Sequence, residues 1–431
     1  MQGEADKAVS LPELAVPTKR EIEPYWQLAA FCAAVAIVIS RQPDAIRHAQ
    51  FLAEDGHVWF ADAYNWGWLA SLGRTQNGYY VTLPRLAAGL ALLVPLTGAP
   101  LVMNLVGLII QAVPAPLLLS RRFSEWGTVR FRAALALAYL VMPNCAEISV
   151  SVTQVQWHLA LIACLLVLAG TPPNKLWHWF DAAVFVLFGL TGPYCILLLP
   201  IACAMLYLKR EPARWRPVFI LVGASALQLS ALLFTDAAAR GRSWPLGASL
   251  GQLSRIVAGQ IYLGTLIGHN VLAFRLAPVT HAWITLAGTA LFIWWLCTSG
   301  PEMRLFALFT LFVLAASLYS PGTGPPPLGW TAWQVLSAVG LGMRYWFLPT
   351  LACTWMLVSF LAGPKRTELT ELVGFVLLFV MLFGFIRDWR HRAYEDPHLA
   401  YYAQQVKAAN AGEIIVIPEN PPGWDLRLVK K

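Results

Sequence analysis

Acidic residues are concentrated just after the first apolar segment of the chain, in the sequence FLAEDGHVWFADAY. Glu54 and Asp55 are adjacent there, and His57 and Asp62 follow closely. A carboxylate held beside aromatic side chains at a membrane surface is partly desolvated, so it can act as a general base or hold a divalent cation such as Mg²⁺ or Mn²⁺. The alternative is that Asp55-Gly56 forms an ordinary turn and that Glu54 is a solvated cap.

Basic residues that suit an anionic ligand lie in other polar segments. Arg85 follows Pro84, and Arg344 precedes Tyr345 in the aromatic sequence GMRYWFLP. A guanidinium keeps its charge and binds phosphate oxygens in pairs, which makes these arginines candidates for holding a phosphate group. The alternative for each is a snorkelling residue at a helix end. The predicted phosphate-binding set is Arg85, Arg255, His269, Arg275 and Arg344.

A third group of polar residues interrupts an apolar region, in the sequence NCAEISVSVTQVQWHLAL. Polar side chains at membrane depth usually face a bundle interior or a water-filled cavity, and here they suit sugar hydroxyls. Hydrogen bonding between helices is the alternative. The group consists of Glu147, Gln154, Gln156 and His158. The predicted sugar or acceptor pocket combines its last three members with His57, Asp62, Tyr79, Tyr80 and Tyr345.

The composition places these residues in a membrane protein. Of the 431 residues, 58% are hydrophobic and only 13% are charged, whereas a soluble globular chain carries about 25% charged residues. The apolar residues form blocks that approach the roughly 20 residues of a crossing helix and are apolar on all sides. The net charge of +8 fits Lys and Arg in cytoplasmic loops. The sequence contains no basic surface with interleaved aromatic residues, so nothing in it indicates a nucleic acid partner.

The apolar blocks predict an all-α polytopic membrane protein with about eleven transmembrane helices. Residues 82–97, TLPRLAAGLALLVPLT, are ambiguous, because this segment is apolar but short; it either crosses the bilayer or lies in the outer interface. The predicted crossing helices are residues 25–40, 101–120, 132–147, 155–170, 177–191, 193–208, 217–234, 280–298, 305–320, 345–362 and 371–387.

The distribution of Lys and Arg favours an interfacial position for residues 82–97, since most cations of the short loops then fall on one face. This topology places the N-terminus in the cytoplasm and the long loops and C-terminal tail outside. The tail contains EIIVIPENPPGWDLRLVKK, which predicts two short strands around a Pro-Pro-Gly turn that folds back over the outer loops. The predicted parts are a cytoplasmic segment (1–24), a transmembrane module (25–387) with outer loops 41–100, 235–279 and 321–344, and an outer tail (388–431).

This arrangement resembles the GT-C superfamily of integral-membrane glycosyltransferases, which use polyprenyl-phosphate-linked sugars. The acidic pair Glu54-Asp55 after the first helix matches the family's loop motif, and Leu83-Pro84-Arg85 resembles the start of its juxtamembrane helix. The next crossing helix ends in an Arg-Arg pair, at residues 121–122. The likeness is best over residues 25–210, and the chain lacks the sizeable soluble C-terminal domain of larger relatives.

The resemblance implies an enzyme in the bacterial inner membrane whose active site faces the periplasm. It would transfer a sugar from a polyprenyl-phosphate donor to an envelope glycan or lipid acceptor, with inversion at the anomeric carbon. By this similarity Asp55 is the first choice for the catalytic base, with Glu54 as its neighbour or substitute. Arg344 and Arg85, with Arg255 or Arg275, would stabilise the departing phosphate.

Other functions remain open from the sequence. A transporter or flippase of lipid-linked sugars would use the same arginines without a base, and a non-catalytic envelope-assembly subunit would need neither. A ligase that moves a whole glycan from a lipid diphosphate belongs to the same reaction class. The absence of a Walker loop, GxGxxG, HExxH and GxSxG argues against an ATP-driven pump, a dehydrogenase, a zincin and a common serine hydrolase.

Overall fold

The fold is described from a computed structural model of the chain. The structure describes residues 24–235, 244–322, 327, 329–340 and 342–431. The predicted cytoplasmic segment therefore lies almost entirely outside the described residues, as do parts of the predicted loops 235–279 and 321–344. The described chain is predominantly helical, as the long apolar blocks predicted.

Helices occupy every segment that hydropathy predicted, with short helices between them. The first half contains α1 Pro24–Arg41, α2 Asp44–Arg47, α3 Ala61–Trp66, α4 Trp68–Leu72, α5 Thr82–Ala91, α6 Ala99–Ala112, α7 Pro114–Leu119, α8 Val129–Val141, α9 Val155–Leu168, α10 Lys175–Gly189 and α11 Tyr194–Lys209. The second half contains α12 Trp215–Phe234, α13 Leu250–Ile256, α14 Leu263–Ile267, α15 Val271–Arg275, α16 Pro278–Thr298, α17 Pro301–Tyr319, α18 Ala332–Leu336, α19 Met343–Ala362, α20 Glu368–Arg387 and α21 Leu399–Ala408.

Six helices within the described residues are long and apolar enough to cross a membrane. They are Leu96–Leu119, Pro212–Phe234, Pro278–Thr298, Pro301–Tyr319, Met343–Ala362 and Glu368–Arg387. Shorter apolar helices accompany them at Tyr25–Arg41, Val155–Leu168 and Tyr194–Lys209. These helices are those of a membrane-embedded protein, as the composition predicted.

The ambiguous residues 82–97 contain only a short helix. Helix α5 has 10 residues, which gives a length of about 15 Å, half of the roughly 30 Å hydrocarbon core. It packs against α6, which begins at Ala99 after a Pro95 that cannot continue α5. This segment is therefore too short to cross the bilayer by itself.

Two helices form the centre of the bundle. Every residue of α9 except Gln156 is buried, and nearly every residue of α19 is buried as well. Both are apolar on all faces, which suits a helix surrounded by other helices. Helix α20, by contrast, exposes Phe375, Phe379 and Phe383 on its outer side, as a helix at the bundle's edge does.

The four strands within the described ranges form two antiparallel hairpins. Strands β1 (Thr75–Gln76) and β2 (Tyr79–Tyr80) lie between α4 and α5, and β3 (Ile414–Glu419) pairs with β4 (Trp424–Val429) in the tail. The tail hairpin confirms the two predicted strands. It packs on the π-helical turn Asp55–Phe60, so the tail folds back over the first acidic segment as predicted.

Candidate functional site

Asp55 begins the π-helical turn Asp55–Phe60 and is buried, with only 1% of its surface exposed. Its Oδ1 accepts hydrogen bonds from the Thr153 backbone nitrogen (3.0 Å) and hydroxyl (2.6 Å). Its Oδ2 is buried and has no hydrogen-bond partner among the residues that the structure describes. Burial raises the pKa of Asp55 to about 7, because desolvation disfavours the ionised form more than the bonds from Thr153 favour it. A group with this pKa exchanges protons readily near neutral pH.

Glu419, at the end of β3, brings a second carboxyl group to the same place. Its Oε1 accepts a hydrogen bond from the His57 backbone nitrogen at 2.9 Å, whereas its Oε2 is buried without a partner. A Cβ atom on Gly56 would collide with that Oε2, so glycine at this position lets the Glu419 carboxyl group approach closely. Burial, and then the charge of Asp55, raise the pKa of Glu419 to about 9. Glu419 is therefore protonated at neutral pH.

Arg344, at the start of α19, forms the opposite side of the site. Its Nη1 donates a hydrogen bond to Glu147, and its backbone nitrogen donates to the other oxygen of the same carboxylate at 3.1 Å. Its Nη2 donates to the Gly322 carbonyl oxygen at 2.6 Å and contacts the Tyr345 hydroxyl at 3.4 Å. The Arg344 side chain is 27% exposed, so these contacts hold it in place without burying it completely.

One loop joins the Asp55 and Arg344 sides. Thr153, which binds Asp55, and Glu147, which binds Arg344, both belong to the segment between α8 and α9. Six positions separate them, so the chain between them spans at most about 20 Å even when extended. The structure therefore places the predicted carboxylate and the predicted guanidinium on one side of the bundle.

Electrostatic interactions connect the two sides further. Burial raises the pKa of Tyr79 to about 12, and the negative charge of Glu54 adds to this rise while Arg344 opposes it. Glu54 also disfavours ionisation of Asp55 and interacts with Arg344. Glu54, Asp55, Tyr79 and Arg344, all predicted site residues, thus share one electrostatic environment. We call these four residues, with Glu147 and Glu419, the acidic site.

Arg85 lies beside the acidic site but has a partner already. Its side chain is only 1% exposed and donates to Asp62 Oδ2 at 2.8 Å, and Arg74 approaches the same oxygen at 3.4 Å. The guanidinium also lies 5.1 Å from the ring centre of Trp59. Trp59 in turn donates its Nε1 hydrogen to the Thr153 hydroxyl at 2.9 Å. Asp62 and Arg85 therefore support the aromatic wall next to Asp55.

His57 contacts the tail hairpin, and Tyr80 contacts helix α12. The His57 Nδ1 atom lies 2.6 Å from the Asp425 carbonyl oxygen, and its ring meets Trp424 edge-on, so it fastens the tail hairpin. The Tyr80 backbone exchanges hydrogen bonds with the Gln228 side chain of α12. These contacts give both residues a positioning role around the acidic site.

The polar group at the start of α9 is mostly satisfied within the protein. His158 lies between the Tyr139 hydroxyl and the Ile148 carbonyl oxygen, each at 3.0 Å. Gln154 accepts a hydrogen bond from Trp157. Gln156 differs, because its Oε1 is buried without a partner near Gly192. Gln156 is therefore the member of this group that remains available to a ligand.

Three predicted phosphate ligands lie outside the acidic site. Arg255 donates to the Phe274 carbonyl oxygen, and Arg275 is exposed at the end of α15. The His269 backbone donates to Asp388, which also accepts from the Asn144 backbone. Within the described residues, none of the three has a hydrogen bond or salt bridge to Asp55, Glu54 or Arg344.

The predicted divalent cation has no obvious ligand set. Over the part of the chain that the structure describes, no cluster of three or more His, Cys, Asp or Glu side chains is arranged to hold a metal ion. Two residues of the predicted acidic segment have other partners, since Asp62 contacts Arg74 and Arg85, and His57 contacts the tail. Their side chains are therefore committed to contacts within the protein.

Sequence reasoning missed two residues, one within the acidic site and one that contacts it. Glu419 lies on the buried side of β3 with Ile415 and Ile417, as the alternation of a strand requires. That alternation, which ends in an acidic residue, was the available signal. Thr153 carried no signal, because threonine is common before helices.

Similarity to other proteins adds nothing to this geometry. No family model, curated protein or solved structure matches the chain.

Proposed function

We propose that the protein is a membrane glycosyltransferase that transfers a sugar from a polyprenyl-phosphate donor to a glycan or lipid acceptor. Asp55 is the catalytic base of this proposal, and the acidic site faces the outside of a bacterial inner membrane that the chain crosses eleven times. The observation that carries the proposal is the buried Asp55 carboxyl group, whose Oδ2 has no partner. Nearly all buried polar atoms are hydrogen-bonded, so an unpartnered carboxylate oxygen favours a ligand-binding role.

The proposed reaction is a direct displacement. Asp55 Oδ2 takes the proton of an acceptor hydroxyl as the acceptor oxygen bonds to the anomeric carbon of the sugar. The bond between that carbon and the phosphate oxygen breaks, and its electron pair leaves with the polyprenyl phosphate. Attack opposite the leaving group inverts the anomeric centre. A positioned base with a pKa near the working pH typically contributes 10²–10⁴-fold to such a rate.

Arg344 is the proposed partner of the leaving phosphate. Its side chain is partly exposed, and its guanidinium is held by Glu147 and by Gly322. A fixed cation stabilises charge that develops on the leaving group, because it needs no reorganisation during the reaction. Protonated Glu419 keeps a second negative charge away from the anionic donor at neutral pH. Buried Trp59, held by Arg85, donates to the Thr153 hydroxyl and so keeps Thr153 in place beside Asp55.

The test compares Asp55→Asn with the unchanged protein in nanodiscs, using polyprenyl monophosphates of hexoses and pentoses as donors. We expect the transfer rate to fall by about 10²–10⁴-fold, while binding of polyprenyl phosphate itself changes little. Asp44→Asn is the matched control, since Asp44 lies in the same segment and pairs with the exposed His48. The control should transfer at the normal rate.

A second variant tests the phosphate side. Arg344→Ala should weaken binding of polyprenyl phosphate, whereas Arg275→Ala, at an exposed arginine outside the acidic site, should not. A transport assay distinguishes the rival function. It measures the movement of a lipid-linked sugar across the bilayer of vesicles made from the same lipids. Normal transport by Asp55→Asn, with no transfer by either protein, would overturn the enzyme proposal in favour of a transporter.

A further inference from the structure

A cavity of about 610 Å³ lies between α9, α10, α11 and α12. We call it the basic groove, because four cationic side chains and one acidic side chain line it. They are Arg122, Lys175, Asp181, Arg214 and Arg216. Its size is within the range of small-molecule sites, which extends from about 300 to 1,000 Å³. None of its residues belongs to the acidic site.

The groove and the acidic site lie at opposite ends of α9. Thr153, just before α9, holds Asp55, whereas Leu166, Val167 and Gly170, at the other end, line the groove. Helix α9 has 14 residues and is therefore about 21 Å long. A ligand in the groove is too far from Asp55 to take part in its chemistry.

Two of the four cations in the groove are already neutralised. Arg122 forms a bidentate salt bridge with Asp181, with both distances at 2.7 Å. Arg214 pairs with Glu211 at 2.7 Å and donates to the carbonyl oxygens of Val167 and Ala169. These arginines satisfy the last carbonyl groups around the end of α9, which is a structural role.

The other two cations are uncompensated. Lys175 and Arg216 are exposed and form no salt bridge with any residue in the described ranges. His178 lies with them in the wall of the groove. Lys175 lies in the first turn of α10, and Arg216 lies in the first turn of α12. The negative end of a helix dipole is at the C-terminus, so neither helix neutralises its cation. This rim therefore attracts an anion.

Below this rim, the groove is apolar and opens towards the outside of the bundle. Its walls include Phe185, Ala202 and Ile220, and its edges are Trp179 and Phe219, which are 76% and 67% exposed. Tryptophan beside an apolar helix surface marks the boundary between membrane and water. A free inorganic anion gains nothing from such walls, whereas a lipid chain buries apolar surface against them.

We propose that the basic groove binds an anionic phospholipid, whose phosphate headgroup has a net negative charge. The headgroup lies between Lys175, His178 and Arg216, and its hydrocarbon chain runs along Phe185 and Ile220. The charge of the rim and the apolar walls are both matched by this class of ligand. The site is separate from glycosyl transfer, and its test needs no enzymatic activity.

Native mass spectrometry of the full chain in detergent tests this site, with phosphatidylglycerol and phosphatidylcholine as probes. We expect phosphatidylglycerol to bind better, and Lys175→Gln with Arg216→Gln to weaken its binding by roughly 30-fold, as the loss of two interfacial cations implies. The matched control is Arg130→Gln with Lys365→Gln, which removes two exposed cations outside the groove. This control should bind phosphatidylglycerol as the unchanged protein does.

Two further arms separate a lipid from a free anion. Ala182→Trp, or Ala213→Phe if the first variant is not monodisperse, fills the groove without changing its charge and should also weaken phosphatidylglycerol binding. Inorganic phosphate should not displace the lipid at millimolar concentration. Equal binding of the two lipids, equal loss in the control, unaltered binding in the filled variants, or displacement by inorganic phosphate would each overturn the proposal.

Discussion

The buried ionisable groups near the two ends of α9 differ in whether they have hydrogen-bond partners. At the end near Gly170, Arg122 and Arg214 meet carboxylates and carbonyl oxygens at 2.7 to 3.0 Å, so these two buried cations are paired. At the other end, Asp55 and Glu419 each keep one buried carboxyl oxygen without a partner. Paired groups stabilise the bundle, whereas unpartnered groups oppose folding and persist for another reason, such as binding a substrate.

The paired end should be the more sensitive to mutation in its stability. Asp181→Asn leaves Arg122 as a buried charge without its counter-ion, because the two side chains are only 11% and 4% exposed. We expect a loss of about 3–5 kcal/mol in the free energy of unfolding, measured by chemical unfolding in detergent. The double variant Arg122→Met with Asp181→Leu removes both charges and should lose less. A similar loss in both variants would show that packing, and not the unpaired charge, decides stability here.

The unpartnered end should respond to pH instead. The pKa values of Asp55 and Glu419 are raised to about 7 and about 9, so the folded chain binds protons more tightly than the unfolded chain does. Stability is then highest below the ordinary carboxyl pKa values and is lost as pH rises through 7 towards 9. We expect the free energy of unfolding to fall by several kcal/mol between pH 5 and pH 9, because each group loses about 1.4 kcal/mol per pH unit until its folded-state pKa is reached. Glu419→Gln should flatten most of this decrease, whereas Glu413→Gln, on an exposed residue of the tail, should not.

The same two carboxyl groups should shape the pH dependence of transfer. The rate should rise around pH 7 as Asp55 ionises, and it should fall around pH 9 as ionised Glu419 repels the anionic donor. In Glu419→Gln the rise should remain and the fall should disappear, giving up to about tenfold higher kcat/KM at pH 10 than the unchanged protein. A fall that persists in this variant would assign it to another group.

The smallest effect concerns the attachment of the tail. Asn65 donates to the Arg427 carbonyl oxygen at 2.8 Å and accepts from the Val429 backbone at 2.9 Å. Asn65→Ala should lower the local stability of the tail hairpin by about 1 kcal/mol, seen as faster hydrogen exchange in β3 and β4 with little change in the helices. Asn77→Ala, in the turn of the first hairpin, is the control. Uniform acceleration across α9 and α19 would mean that the tail stabilises the whole bundle.

Hydropathy predicted the helices well, because a membrane-crossing helix needs a continuous apolar block. The boundaries were less accurate where proline acts. Helix α8 was predicted over residues 132–147 but covers Val129–Val141, since Pro143 restricts Met142 to an extended backbone. The predicted helix 101–120 is divided at Pro114 into α6 and α7. Local residue chemistry explains both differences.

The acidic site was only partly predictable. Glu54, Asp55 and Arg344 were identified by residue type and neighbourhood, and the structure brings them into one electrostatic environment. Sequence reasoning grouped Arg255 and Arg275 with them, but their contacts are elsewhere. It treated Arg85 as a free phosphate ligand, although Asp62 holds it. An arginine's charge is visible in the sequence, whereas its counter-ion is not.

The sequence by itself determined the membrane class, the positions of the apolar helices and the strand alternation that turns Glu419 inward. These follow from short-range periodicity and from the transfer of apolar surface out of water. Only the tertiary structure decided that Glu419 lies beside Asp55, that Thr153 and Glu147 join Asp55 to Arg344, and which cations remain unpaired. Such contacts join residues hundreds of positions apart, and burial and pairing depend on what surrounds a side chain in space.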